Sequence, residues 1–254
     1  MAPRRRRAGI ALVLAAVAAP LSVFLACGIP SVGFVAGPPE DSVGGESLET
    51  LPEITFEHNA DLNDTDDFKG YDLYYRLYDD RADNDTTYED HRDEILADPP
   101  TPGTSRLERN GYRRVVSAAE TTVDGQVPPL IEVSPDLKDD ELDVVLSFAL
   151  IPADPAEATA TLRAGTESAG SEPLELARSV EQEGSQEPKG FLLGTYQDGD
   201  EDVDKITRPI ETVIDDESLY VALYALGYGI DGLTFQGLYS EPVFLHYFRL
   251  VPAE

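Results

Sequence analysis

The chain has 254 residues and a formal net charge of −30 at pH 7, with 49 acidic residues against 19 basic ones. A surface this acidic repels phosphate, so nucleic acid and anionic lipid headgroups are excluded as ligands. The single cysteine excludes an intrachain disulfide, and stability must come from a core drawn from a 41% hydrophobic composition.

Taken in order, Arg4 to Arg7 precede an apolar run from Ala8 to Ala19, Pro20 interrupts it, and Cys27 follows the small residue Ala26. A basic region, an apolar region and small residues form the layout of a secretory signal. Two other readings fit the same residues. Ala8 to Ala26 is close to the roughly 20 residues a membrane helix needs, and the stretch also suits a plain cleaved signal. Phe24-Leu25-Ala26-Cys27-Gly28 resembles a bacterial lipoprotein lipobox. That resemblance implies a signal peptide over 1–26 and a diacylated Cys27 as first mature residue. It also implies a membrane partner through the lipid anchor and an extracytoplasmic location, periplasmic or surface. Loss of Arg4 to Arg7 with the leader takes the charge to −34.

Gly28 to Thr50 is rich in Gly, Pro, Ser and Glu without hydrophobic periodicity, and is expected to be a flexible tether reaching roughly 25–30 Å. The folded part is expected from Leu51 to the end. Ile54 to Phe56 is a short strand signal, and Asp61 to Asp67 is a polar loop. From Gly70 to Tyr78, Tyr71, Leu73, Tyr75 and Leu77 share one face by the period-two rule, which with the aromatic content predicts a strand. Thr87 to Ala97 predicts one short helix, ended before Pro99-Pro100. Gly111 to Ala118, Leu130 to Val133 and Glu141 to Ile151 predict strands. Ala153 to Lys189 is of low complexity and is expected to be partly disordered, with Thr159 to Arg163 and Leu174 to Val180 as its ordered pieces. Gly190 to Tyr196 and Ile206 to Ile214 read as strands. Leu219 to Leu226 is apolar on both faces, as a central covered strand would be. Gly227 to Gly237 reads as a glycine-rich loop, and Tyr239 to Leu250 as the closing strand.

The fold class is therefore all-β and mainly antiparallel. Ile214 to Tyr220 resembles the turn before strand F of a fibronectin type III domain, with Val221 to Leu226 as strand F, Tyr239 to Phe244 as strand G and Gly70 to Tyr78 as strand C. The resemblance implies an immunoglobulin-like sandwich and a tyrosine corner at Tyr220, its ring buried and its hydroxyl bonded to upstream backbone. It also makes the span around 79–189 a large insertion, or a second small β unit. The chain departs from the pattern in having no tryptophan. A generic β domain is the alternative. With lipobox and tether, the strand pattern also resembles spirochaete-type lipoproteins.

No catalytic constellation emerges. His58, His91 and His246 stand apart in sequence and match no metal-ligand spacing. Asp198 to Asp204 alternates carboxylates, but the sixth position is Val203 rather than glycine and the twelfth is Pro209. The EF-hand pattern fails there, and a solvated acidic loop is expected in place of a calcium site. No cofactor is implied. The sequence supports a membrane-anchored lipoprotein with a non-catalytic binding or structural role and a protein partner in the cell envelope. The alternatives are an accessory subunit of an envelope assembly or transport complex, and an envelope enzyme.

Overall fold

The computed structural model describes residues 35–45, 53–79, 88–97, 102–117, 128–138, 140–148, 158–165, 167–169, 173–181, 188–191, 196–198, 200, 202 and 208–250. Cys27 and the leader before it lie outside the described residues.

The strands in chain order are β1 (Gly44–Gly45), β2 (Glu53–Glu57), β3 (Phe68–Asp79), β4 (Arg113–Arg114), β5 (Val116–Ser117), β6 (Ile131–Glu132), β7 (Asp143–Phe148), β8 (Ala158–Ala164), β9 (Glu167–Ser168), β10 (Leu174–Glu181), β11 (Pro188–Gly190), β12 (Leu219–Ile230), β13 (Gly237–Tyr239) and β14 (Val243–Arg249). The helices are α1 (Ala60–Asn63), α2 (Tyr88–Ala97), α3 (Gly103–Arg109) and α4 (Ile210–Asp215). One sheet runs β1-β2-β7-β8-β10-β11, with β5 added on β10 and β9 on β8. The other runs β13-β12-β3-β4, with β14 on β12 and β6 on β3. The pairing is antiparallel in both sheets. The all-β, mainly antiparallel sandwich expected from the pattern is what forms.

The inner faces meet in one apolar core. Ile54, Phe56, Val144, Leu146 and Phe148 come from the first sheet; Tyr71, Leu73, Tyr75, Leu77, Val221, Leu223 and Phe248 come from the second. Phe56 meets Tyr71 edge-on at 5.3 Å, and Phe148 lies 4.9 Å from Phe248. Each fully buried Leu or Phe contributes on the order of 1.5–3 kcal/mol. β3 and β12 form the spine, paired from Leu219 opposite Asp79 to Gly229 opposite Phe68. Their other face is buried as well. Tyr74, Tyr78, Ala222, Tyr224 and Leu226 pack with Ile95 of α2, Leu107 of α3 and Tyr112. His91 and Ile95 are four residues apart and so share the face of α2 that is buried. This double covering is why Leu219 to Leu226 has no polar alternation.

Six expectations need correction. Residues 35–45, assigned to the tether, are packed on the domain: Val35 is 2% exposed and β1 pairs with β2. The packing partners lie far downstream. A Cβ at Gly227 would sit 2.1 Å from the Ala36 carbonyl, and one at Gly229 would sit 2.5 Å from Val35. Those glycines therefore belong to β12, which runs on to Ile230, and not to a loop. The span 79–189 is not an insertion alone, because β7, β8 and β10 within it make the body of the first sheet. Ile210–Asp215 is helical, not a strand: Pro209 precedes it in extended conformation, the Asp198 side chain accepts the Ile210 N–H at 2.8 Å, and Ile210 and Val213 are buried at helical spacing. With α1 and α3, the described helices number four where one was expected. Within Gly111 to Ala118 the chain changes sheets. Arg113–Arg114 pairs with β3 and Val116–Ser117 with β10, with buried Val115 at the crossing.

Candidate functional site

Four places gather polar chemistry or exposed hydrocarbon. The first lies between the sheets. Arg178 is fully buried and donates to both oxygens of Asp202, from Nε at 2.7 Å and from a terminal nitrogen at 2.5 Å. It also donates to Asp200 at 2.8 Å, and its guanidinium lies 3.9 Å over the Tyr196 ring. Lys189 donates to Asp200 at 2.5 Å, and the Tyr75 hydroxyl donates to Asp202 at 2.5 Å. Two cations face two carboxylates, so the cluster is neutral as a unit. Burial pulls the Asp200 carboxyl up, but hydrogen bonds from Lys189 and Arg178 outweigh it and hold the group below its ordinary range. With Asp198 at the α4 amide, the described carboxylates of this run are internal acceptors. Of the described carboxylates in the run expected to be a solvated loop, Asp198 is exposed and caps α4, while Asp200 and Asp202 are tied to Arg178 and Lys189.

The second place lies under α2 and α3. Arg76 is buried and donates to His91 Nδ1 at 3.0 Å and to the Asn110 carbonyl, and it sits 5.1 Å from the Tyr78 ring centre. Among the described residues no carboxylate pairs with it. The cation is met by a carbonyl, an imidazole and an aromatic face. Burial pushes the Tyr78 phenol up to about 12, so it stays a neutral hydrogen-bonding group near neutral pH. Arg106 bonds the Ile95 carbonyl at 2.5 Å and pairs with Glu241.

The third place is a cavity of about 550 Å³ lined by Pro39, Glu57, His58, Asp61, Glu141 and Asp143 among others. His58 is fixed by an ordered chain of bonds. The Asn59 N–H donates to the Tyr71 hydroxyl at 3.1 Å, that hydroxyl donates to His58 Nδ1 at 2.7 Å, and Nε2–H donates to the Lys138 carbonyl at 2.8 Å. Both ring nitrogens are thereby engaged in the fold. Among the described residues no group of three His, Cys, Asp or Glu is placed to hold a metal ion.

The fourth place is the loop after β12. Leu233 is 75% and Phe235 71% exposed. Sequence reasoning missed it. The available signal was Asp231 to Gly237, a turn between strands that carries two large apolar residues where turns are ordinarily polar.

Tyr220 is placed differently from the corner expected of it. It is half-buried on the face opposite the inter-sheet core, and its ring stacks on Tyr247 at 4.9 Å. Tyr247 stacks in turn on Tyr88 at 3.8 Å. The bend before β12 is held instead by Asp79, which accepts two bonds from Arg208, at 2.6 and 2.5 Å, and one from Ser218 at 3.0 Å. His246 is partly buried, and burial lowers its pKa below the ordinary 6.5 while Nδ1 accepts the Tyr247 N–H at 2.9 Å.

No family model, curated protein or solved structure matches the chain. Among the described residues no helix is long and apolar enough to cross a membrane.

Proposed function

We propose that the chain is an extracytoplasmic lipoprotein, held by lipid on Cys27, whose sandwich has a non-catalytic binding or structural role in the cell envelope. The observation that carries this reading is the leader itself: four arginines, an apolar run, and the chain's only cysteine directly after Ala26. More than one acyl chain makes such an anchor stable, since each buried CH₂ contributes about 0.8 kcal/mol. The packing of Val35 supports the reading further. It puts the first described residue of the domain eight positions after Cys27, close enough in sequence for a lipid there to hold the domain at a membrane.

The immunoglobulin-like reading of the sandwich is also ours. It is supported by pairing: β3, β12 and β14 are neighbours in the C-F-G order, and β1, β2 and β7 are neighbours as A, B and E would be. It departs from that pattern at β8, which lies where strand D would lie but follows β7 in the chain, and at Tyr220. The lipoprotein reading is tested by metabolic labelling with a fatty acid. Label should appear on the wild-type chain and vanish in Cys27→Ser, which should also stop maturation at that position. Label that persists in the variant would refute the anchor.

A further inference from the structure

The loop that carries Leu233 and Phe235 is not slack. The Asp231 carboxylate, itself buried, accepts the N–H groups of Leu233 at 2.8 Å and Thr234 at 2.7 Å, and its carbonyl accepts the N–H of Phe235 at 2.8 Å. The Asp231 N–H donates to the Gln236 carbonyl at 2.9 Å, and the Gly232 N–H reaches Asp67 at 3.1 Å. Phe235 is held at φ +57, a region that non-glycine residues seldom occupy. A side chain kept in water by a pinned, strained backbone is displayed there; it has not merely failed to pack. Leu62 on α1 is 52% exposed at the same end of the sandwich, because the α1–β3 connection packs on the end of β12 through Asp67.

The chain enters the domain at this end. Val35 lies against Gly229 and Ala36 against Gly227, so the segment runs along β12 with its lower-numbered end toward the 231–236 loop. Asn63 fixes it by accepting the Ala36 N–H at 2.8 Å and donating to the Ala36 carbonyl at 3.0 Å. Residues 28–34 are seven, and even fully extended they span about 25 Å. A strand of twelve residues such as β12 is about 40 Å long. A lipid on Cys27 would therefore keep the entry end within about 25 Å of the bilayer.

We propose that Leu233 and Phe235, with Leu62 at the same end of the domain, form its membrane-facing surface and enter the interfacial layer of the bilayer that holds the anchor. This rests on the lipoprotein reading. A short tether supplies the effective concentration that so small an apolar surface lacks alone. The exposed Asp61 stands on α1, and the exposed Asp64 and Asp66 on the connection after it. They favour a surface of zwitterionic over anionic headgroups, by like-charge repulsion.

The absence of tryptophan gives a direct probe. Phe235→Trp in the full, acylated chain, reconstituted in phosphatidylcholine vesicles, should show blue-shifted emission. Brominated lipid should quench it, more with bromine near the headgroup end of the acyl chain, since interfacial side chains enter only roughly 5–10 Å. Leu233→Trp should behave alike and guards against one variant misfolding. Vesicles rich in anionic lipid should quench less. An acylated chain that co-floats with vesicles while its tryptophan keeps water-exposed emission overturns the inference and leaves the anchor standing. A blue shift without vesicles that grows with protein concentration overturns it in favour of a second copy as the occupant. A chain that carries no acyl group overturns the anchor, and the membrane contact with it.

Discussion

Between the sheets the fold buries charge, and at the loop after β12 it exposes hydrocarbon. Each departs from ordinary burial, but the two are compensated differently. Arg178, Lys189, Asp200 and Asp202 neutralise one another, with the Tyr75 hydroxyl and the Tyr196 ring against them, so the four charges are met from within the fold. Leu233 and Phe235 have their backbone fixed by Asp231 while their side chains stay in water. Buried polar groups that are mutually satisfied belong to stability. Apolar groups displayed on a rigid support are what the proposed membrane contact would use. The contrast separates the part of the molecule that holds it together from the part proposed to meet the bilayer.

The largest effect that tests this contrast is Asp202→Ala. It leaves the buried Arg178 without its bidentate partner, and removing one member of such a pair costs roughly 3–5 kcal/mol. Denaturant unfolding should show that loss, while membrane contact at the loop stays as it is. Asn63→Ala comes next. It strips the Ala36 N–H and carbonyl of their buried partners, which costs about 1–3 kcal/mol in the same experiment. It should also expose the 35–45 segment to proteolysis.

A smaller effect is read from pH. Burial disfavours the charged form of His246, so the folded state binds fewer protons there than the unfolded chain does. Stability should fall as pH drops below the ordinary 6.5, and His246→Gln should remove that part of the slope. Asp200 acts in a separate window, because its folded-state pKa lies below 3.8. Its contribution is complete above that value and is lost only at lower pH. Smallest of all, Leu233→Ser with Phe235→Ser should leave thermal stability within about 0.5 kcal/mol, as for other exposed positions. A large loss there would return the loop to the structural side of the contrast.

How much of this could be read from sequence depends on how far apart the cooperating residues lie. β3 and β12 were legible because each carries its own pattern, alternating in Gly70 to Tyr78 and doubly apolar in Leu219 to Leu226. Residues 35–45 were misread because nothing in their composition announces packing; the room for them is made by Gly227 and Gly229, nearly two hundred residues on. Ile210 to Ile214 alternates well enough for a strand, and only Pro209 with the cap from Asp198 turns it into a helix. Asp200 and Asp202 looked solvated because Arg178 and Lys189 reach them across a fold that local sequence does not describe. At Tyr220 the motif was present but the facing was not, since period two gives a residue's side of the sheet without saying which side holds the inter-sheet core.

The central claim is that the end receiving residue 35 is the end that meets the membrane. Hydrogen–deuterium exchange on the acylated chain, with and without phosphatidylcholine vesicles, tests it directly. Amides of residues 231–236 and of α1 should exchange more slowly on vesicles, while those of α4 and the Glu217–Ser218 turn at the far end of β12 should not change. Slowing confined to the α4 end, or none at either end of an anchored chain, would contradict the account.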